Sequence, residues 1–152
     1  MVITKPFLPL NCENNSHSMN NVQFATAIHI LTLLAITKAS LSSAYIAGSI
    51  NVDPAIVRKS LLLLHSQGLV ETKEGKGGGA TLAKPAENIF LSDVYAAVVD
   101  TLILGRFNNP NPKCKTGKQM NKHLQKLYKQ ADAALVDKLR SLTIEDFCKN
   151  FK

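Results

Sequence analysis

Tryptophan is absent from this sequence, aromatic residues make up only 6% of it, and cysteine occurs at just three positions, 12, 114 and 148. Three cysteines without paired spacing form neither a disulfide scaffold nor a Cys-x-x-Cys zinc or thioredoxin signature, and they fit a reduced cytoplasmic setting. Long apolar runs are missing too. Residues 22 to 36 are the longest apolar stretch, but Gln23, Thr26, His29 and Thr32 interrupt it, and a bilayer-spanning helix needs roughly 20 apolar residues. Only Lys5 precedes that stretch and no small-residue cleavage pattern follows it, so the chain is expected to stay inside the cell, with no membrane role. No Ser-His-Asp, Cys-His or paired-carboxylate constellation emerges, which argues against an enzyme. The histidines at 17, 29, 65 and 123 lack metal-ligand spacing, and His29 and His65 read as helix-packing residues.

What remains is a chain of 152 residues, 45% hydrophobic, enough for one domain with a core. Its 18 basic and 11 acidic residues leave a formal charge of +7. That charge is local: Arg106, Lys113, Lys115, Lys118, Lys122, Lys126 and Lys129 follow one another with no acidic residue between them. Such a run is either a solvated helix face or an electrostatic footprint for nucleic acid, and attraction to phosphates alone carries no sequence information.

Four segments follow along the chain. Residues 1 to 18, with two prolines and no clear period, read as a tail or short extended arm, and Met19 is a candidate start that would leave Cys12 without functional meaning. From Val22 to about Lys38 the apolar residues fall on nearly every side of a helix, which must then be covered on all sides; a second subunit is the expected cover for one of them. Ser42 or Ser43 can cap a short helix through about Ser49, and Asp53-Pro54 marks a second helix start, with Asp as cap and Pro at the first helical position. That second helix runs to about Gln67, ended by Gly68, with Val57, Leu61 and Leu64 facing inward, Ala55, Arg58 and Lys59 away from that line, and Leu62 and Leu63 implying further packing. Residues 69 to 73 and 80 to 84 read as two strands joined by a loop of four glycines. The loop lacks the Lys-Ser/Thr pair of a phosphate loop and opens no helix, so it is a flexible hairpin tip. Ser92 is expected to cap a helix from Asp93 to about Leu104, residues 108 to 112 a loop, and residues 117 to 142 one long helix whose apolar stripe needs a partner surface; the first helix offers one. Thr143 to Phe147 has the pattern of a capping box opening a final turn.

The resulting fold class is mainly α with a small β-hairpin: a winged helix-turn-helix domain and a long C-terminal dimerisation helix. Its division is a tail at 1 to 18, the winged helix-turn-helix at 19 to 91, a connecting helix and loop at 92 to 117, and the dimerisation helix with its terminal turn at 118 to 152. The strings Asp53-Pro54-Ala55-Ile56-Val57-Arg58-Lys59, Gly68-Leu69-Val70 and Gly75-Lys76-Gly77-Gly78-Gly79 resemble the Rrf-type bacterial regulators, the family of IscR, NsrR and CymR. Leu91-Ser92-Asp93-Val94 and Leu142-Thr143-Ile144-Glu145-Asp146 extend the resemblance over roughly residues 19 to 148.

That resemblance implies a cytoplasmic homodimeric transcription regulator, a repressor, with two winged heads on a pseudo-palindromic operator in double-stranded DNA. It places Ala55, Arg58 and Lys59 at base edges or flanking phosphates, Ser42 and Ser43 at a phosphate-facing helix start, and Lys73, Lys76 and Gly77 in a wing that reaches the backbone or minor groove. Glu74 departs from the Arg that many members carry before the wing glycines. Cluster-binding members hold three closely spaced cysteines ahead of the long helix, where this chain has only Cys114; an iron–sulfur cluster needs about four ligands, so no cofactor is expected and the chain falls in the cluster-free branch. Cys114, between Lys113 and Lys115, is a candidate redox sensor, since nearby positive charge favours the thiolate that oxidants attack. A small ligand or a protein partner could carry the signal instead. The alternative function is a protein-interaction module on a winged-helix scaffold that has lost DNA binding.

Overall fold

The computed structural model describes residues 19–100 and 102–151, so the proposed tail at 1 to 18 lies outside the described residues. Helix α1 (Met19–Thr37) is the centre of the packing. Its Ala27, Ile30 and Leu31 are fully buried, and it touches α2 (Ser43–Ile50), α3 (Pro54–Ser66), α4 (Leu91–Val98), α6 (Ile144–Cys148) and strand β2 (Gly79–Leu82). The expectation that one side of α1 needs a second subunit is therefore corrected: elements from the whole chain cover it. Among its described side chains Val22, Ala25, Ile36 and Thr37 stay exposed, Val22 and Ile36 at 51% each. Thr32 sits buried in the same helix because its hydroxyl donates to the Ile28 carbonyl at 2.8 Å.

Between α3 and α4 lies the antiparallel hairpin of β1 (Val70–Lys73) and β2, in register Val70 to Leu82 through Lys73 to Gly79. A single 3-10 turn, Ala86–Asn88, leads into α4. Here the structure departs from the Ser92 cap. The helix begins at Leu91, Ser92 is buried within it, and the Leu91 N–H donates to the Leu142 carbonyl at 2.9 Å. A backbone acceptor from the far end of the chain thus serves where a side-chain cap was expected. Helix α4 also ends early, at Val98 rather than Leu104, because the β-branched Val99 turns extended.

No helix or strand occupies the described residues from 99 to 114, yet this stretch is pinned to α5 (Lys115–Arg140). Phe107 stacks on Tyr128 with ring centroids 5.0 Å apart, and Asn121 Nδ2 donates to the Asn108 carbonyl at 3.0 Å. Helix α5 starts two residues before the expected Gly117, with Cys114 at its N-cap. Its expected partner was α1; instead it lies along α4, where Tyr95 Oη donates to Asp132 Oδ1 at 3.0 Å. Burial and that carboxylate push the Tyr95 hydroxyl up to about 12, so it remains a donor at any physiological pH. Tyr95 also meets the edge of Phe24 on α1, centroids 5.8 Å apart, so it touches both helices.

The terminal turn closes the body. Ile144 is fully buried, its N–H donates to the Ile89 carbonyl at 2.9 Å, and α6 packs on α1. The expected capping box is formed: Thr143 Oγ accepts the Asp146 N–H at 3.1 Å while the Asp146 carboxylate accepts the Thr143 N–H at 3.2 Å. The Lys149 ammonium at 2.7 Å and then the Thr143 donors lower the Asp146 carboxyl from its ordinary 3.8 to about 2. A carboxyl held below its ordinary value adds stability that is present above about pH 4 and is lost as pH falls towards 2. Asp146→Asn should remove that part of the acid sensitivity, seen as a smaller fall of the urea midpoint between pH 4 and pH 2 than in the parent protein.

Candidate nucleic-acid interface

Two capped helices set the site. Ser42, not Ser43, caps α2: its Oγ accepts the Tyr45 N–H at 3.2 Å and its own O–H remains free to donate outward. Ser43 is the first helical residue and is half-buried. Helix α2 ends on Asn51, whose φ of 59° is the left-handed conformation that Asn tolerates, and its N–H returns to the Ala47 carbonyl. After this tight turn Asp53 Oδ1 accepts the Ala55 N–H at 2.7 Å, and Pro54 opens α3.

Val57, Ser60, Leu61 and Leu64 bury one face of α3. The opposite face is then fixed by helical geometry. Ala55, Lys59 and Leu62, four and three residues apart, run along the line directly away from the core, with Arg58 beside it; all four are exposed. The further packing expected of Leu62 is not found within the chain, where it is 70% exposed. Leu63, by contrast, does pack against the core. His65 is likewise exposed rather than packed, whereas His29 lies 3.4 Å from the Ser49 hydroxyl between α1 and α2.

The hairpin forms the wing. Its tip is a four-residue turn, Gly75 to Gly78, closed by the Gly78 N–H on the Gly75 carbonyl at 2.9 Å, with Gly77 at φ +80° in the third position. That position of a type II turn favours glycine. Lys76 therefore stands at the outermost point, with Lys73 and Glu74 exposed at its base. On its other edge β2 pairs with the residue ahead of α2: Ala80 N–H donates to the Leu41 carbonyl at 2.8 Å, and Leu41 N–H returns to Ala80 at 3.0 Å. The wing is thereby tied, one residue away, to the Ser42 cap. Gly79 makes this closeness possible, because a Cβ there would stand 2.6 Å from Ser40 Oγ and 2.7 Å from the Leu41 carbonyl oxygen.

Ser42 and the wing residues Lys73, Lys76 and Gly77 thus hang on one connected frame with α3. Cys114 belongs to another element. It is exposed at the N-cap of α5, with its Sγ accepting the Gly117 N–H at 3.4 Å. Burial and then Glu145 push the thiol of the half-buried Cys148 up. Sequence reasoning missed Tyr45, Ile56 and Leu62, exposed at 58%, 48% and 70% on the same two helices. The signal for Leu62 was its spacing, seven residues from Ala55 and three from Lys59.

A helix-turn-helix with a tied wing defines a winged-helix transcription regulator. Residues 20–150 match the family described as Rrf2, iron-dependent transcriptional regulator, and the chain belongs to that family. It is 34% identical over 129 residues to YwnA of Bacillus subtilis (strain 168), described as an HTH-type transcriptional regulator, covering 84% of this chain and 96% of that one. Among solved structures, a transcriptional regulator from Lactobacillus plantarum shares the fold with a TM-score of 0.76 at 23% identity, over 88% of this chain and 91% of the other. CymR, the global cysteine regulator of B. subtilis, does so at 0.62 and 19% identity, over 84% and 94%.

The family description names iron, and the donors available for it among the described residues are few. An iron–sulfur cluster needs about four ligands, mostly thiolates. The segment ahead of α5 offers Cys114 alone, and no three His, Cys, Asp or Glu side chains converge among the described residues. No helix among them is long and apolar enough to cross a membrane.

Gly79→Ala should detach the wing from Leu41 without disturbing α1. The expected result is a loss of stability of about 1–3 kcal/mol in urea denaturation, with helical circular dichroism retained at low temperature.

Proposed function

We propose that this regulator binds a pseudo-palindromic operator as a homodimer and represses by occupying the promoter. The observation that carries the reading is the outward line of α3, where Ala55, Arg58, Lys59 and Leu62 project from a helix locked by Val57, Leu61 and Leu64. Arg58 matches guanine O6 and N7, while Ala55 and Leu62 offer apolar contact to thymine methyl groups. Ser42 and the α2 start face a phosphate, and Lys73, Lys76 and Gly77 bring the wing to the backbone.

Support for the dimer comes from α5. No residue of this 26-residue helix is buried within the chain, and Leu127 and Met120 remain 54% and 38% exposed. An apolar stripe of that length is matched by its copy in a second subunit. Residues 19 to 91 then form the reading head, 92 to 117 the connection and 118 to 152 the dimerisation segment. In this reading the protein works in the cytoplasm and without a cluster, a reading supported by the single Cys114 ahead of α5. Cys114, exposed between two lysines, is the proposed thiol input, with a small ligand or protein effector as the other routes.

Joint replacement of Arg58 and Lys59 by Ala should weaken binding to a fragment of the protein's own upstream DNA at least tenfold in fluorescence anisotropy with scrambled competitor, since one good base contact is worth about 1–3 kcal/mol. Unchanged, competitor-resistant binding would contradict the role of α3. A variant and parent that bind DNA equally weakly, and without sequence preference, would favour the protein-interaction reading.

A further inference from the structure

One strongly charged surface is left unused by the α3 reading. Lys115, Lys118, Lys122, Lys126 and Lys129 follow one another on α5 at spacings of three and four, so they share one face of the helix. All five are exposed. The ion pairs among the described residues, Lys84 with Asp93, Arg140 with Asp137 and Lys149 with Asp146, include none of them. From Arg106 onward the first acidic residue is Asp132. Arg106 to Lys129 holds seven basic residues and no acidic one, which equals the whole net charge of +7; the remainder of the chain is balanced.

This arrangement opposes the helix's own stability. Like charges three or four residues apart repel, and Lys115 and Lys118 stand in the first turn, where the helix dipole disfavours cations. An anion laid along the face reverses both effects.

The opposite side of α5 is apolar. Met120, Leu124, Tyr128 and Ala131 each follow a lysine by two residues, about 200° around the helix. A dimer sealed along that stripe leaves the lysine face outward.

We infer that this lysine face is a second, sequence-blind surface for double-stranded DNA, engaging the phosphates of duplex beyond the segment read by α3. The five charges extend about 21 Å at roughly 1.5 Å per residue. One strand of B-DNA presents a phosphate every ~3.4 Å of helix axis, so the face spans about six of them. Lysine is a flexible point charge suited to backbone rather than base edges. The face carries no Phe, Tyr or Trp between its lysines, so it lacks the run of aromatic platforms on which successive bases of a single strand stack. A membrane-lying helix instead needs its apolar stripe free to enter the lipid, and in the dimer that stripe faces the second subunit. The inference rests on the reading that α3 brings the protein to duplex DNA, but the measurement that decides it uses a duplex of random sequence.

The test compares the full chain with a quadruple variant, Lys118→Gln, Lys122→Gln, Lys126→Gln and Lys129→Gln, for binding to a random-sequence duplex of 40 base pairs across a salt series. These surface changes leave the core intact, and circular dichroism with thermal melting verifies the fold. The expected result is a loss of roughly tenfold or more at 50 mM salt, and a log–log salt slope shallower by about 0.9 for each phosphate contact removed. Specific binding that survives in the variant alongside this loss separates the lysine face from α3. Loss of operator preference in the Arg58 and Lys59 variant, with random-duplex binding kept, separates them from the other side. An unchanged slope and affinity for the random duplex overturns the inference. So does tighter binding of the parent chain to phosphatidylserine vesicles or to poly-glutamate than to the duplex.

Discussion

Burial of α1 is the constraint from which the geometry of the reading surface follows. A helix apolar on nearly every side is stable in water only when surrounded, and here the surrounding elements come from α2, α3, β2, α4 and α6. Each is held at a fixed angle to the same central rod. Because α3 is held through Val57, Leu61 and Leu64, the direction of Ala55, Lys59 and Leu62 is decided by the core and not by local flexibility. Removing a fully buried side chain such as Ile30 would therefore disturb the outward face as well as stability.

Two backbone closures extend that rigidity. The pairing of Leu41 with Ala80 joins the wing to the start of α2, and the exchange among Ile89, Leu91, Leu142 and Ile144 joins the chain's end to the start of α4. The second closure brings the C-terminus of α5 back to the body, while Tyr95 and Asp132 hold its middle. Helix α5 is thus fixed along one side and left apolar on another, with its charge on the side opposite that stripe. Shape, apolar stripe and charge are separated on a single helix, as the proposed dimer and the proposed phosphate contact together require.

Much of the reading head was legible in the sequence because its signals are local. Asp53-Pro54 marked a helix start through a cap and a fixed φ, Gly68 marked its end at φ +65°, and Thr143 with Asp146 marked a capping box; each stands in the structure. The inward trio of α3 followed from helical spacing alone. What was not legible depended on residues far apart in the chain. The start of α4 uses a carbonyl at Leu142, fifty-one positions from Leu91, and no local pattern announces it. The cover of α1 by α6, the choice of α4 rather than α1 as the support for α5, and the tie between wing and Leu41 are of the same kind. Leu62 differs in kind: an apolar residue implies further packing, yet its spacing from Ala55 and Lys59 places it on the outward line.

The central claim is that the outward line of α3, presented twice by a dimer, reads DNA sequence. Selection of bound duplexes from a random-sequence pool by the purified full chain addresses it most directly. The account predicts enrichment of an inverted repeat whose half-site centres lie about one helical turn, roughly 10–10.5 base pairs, or a multiple of it apart. A pool that stays random after repeated rounds, while the protein still retains DNA at low salt, would contradict it.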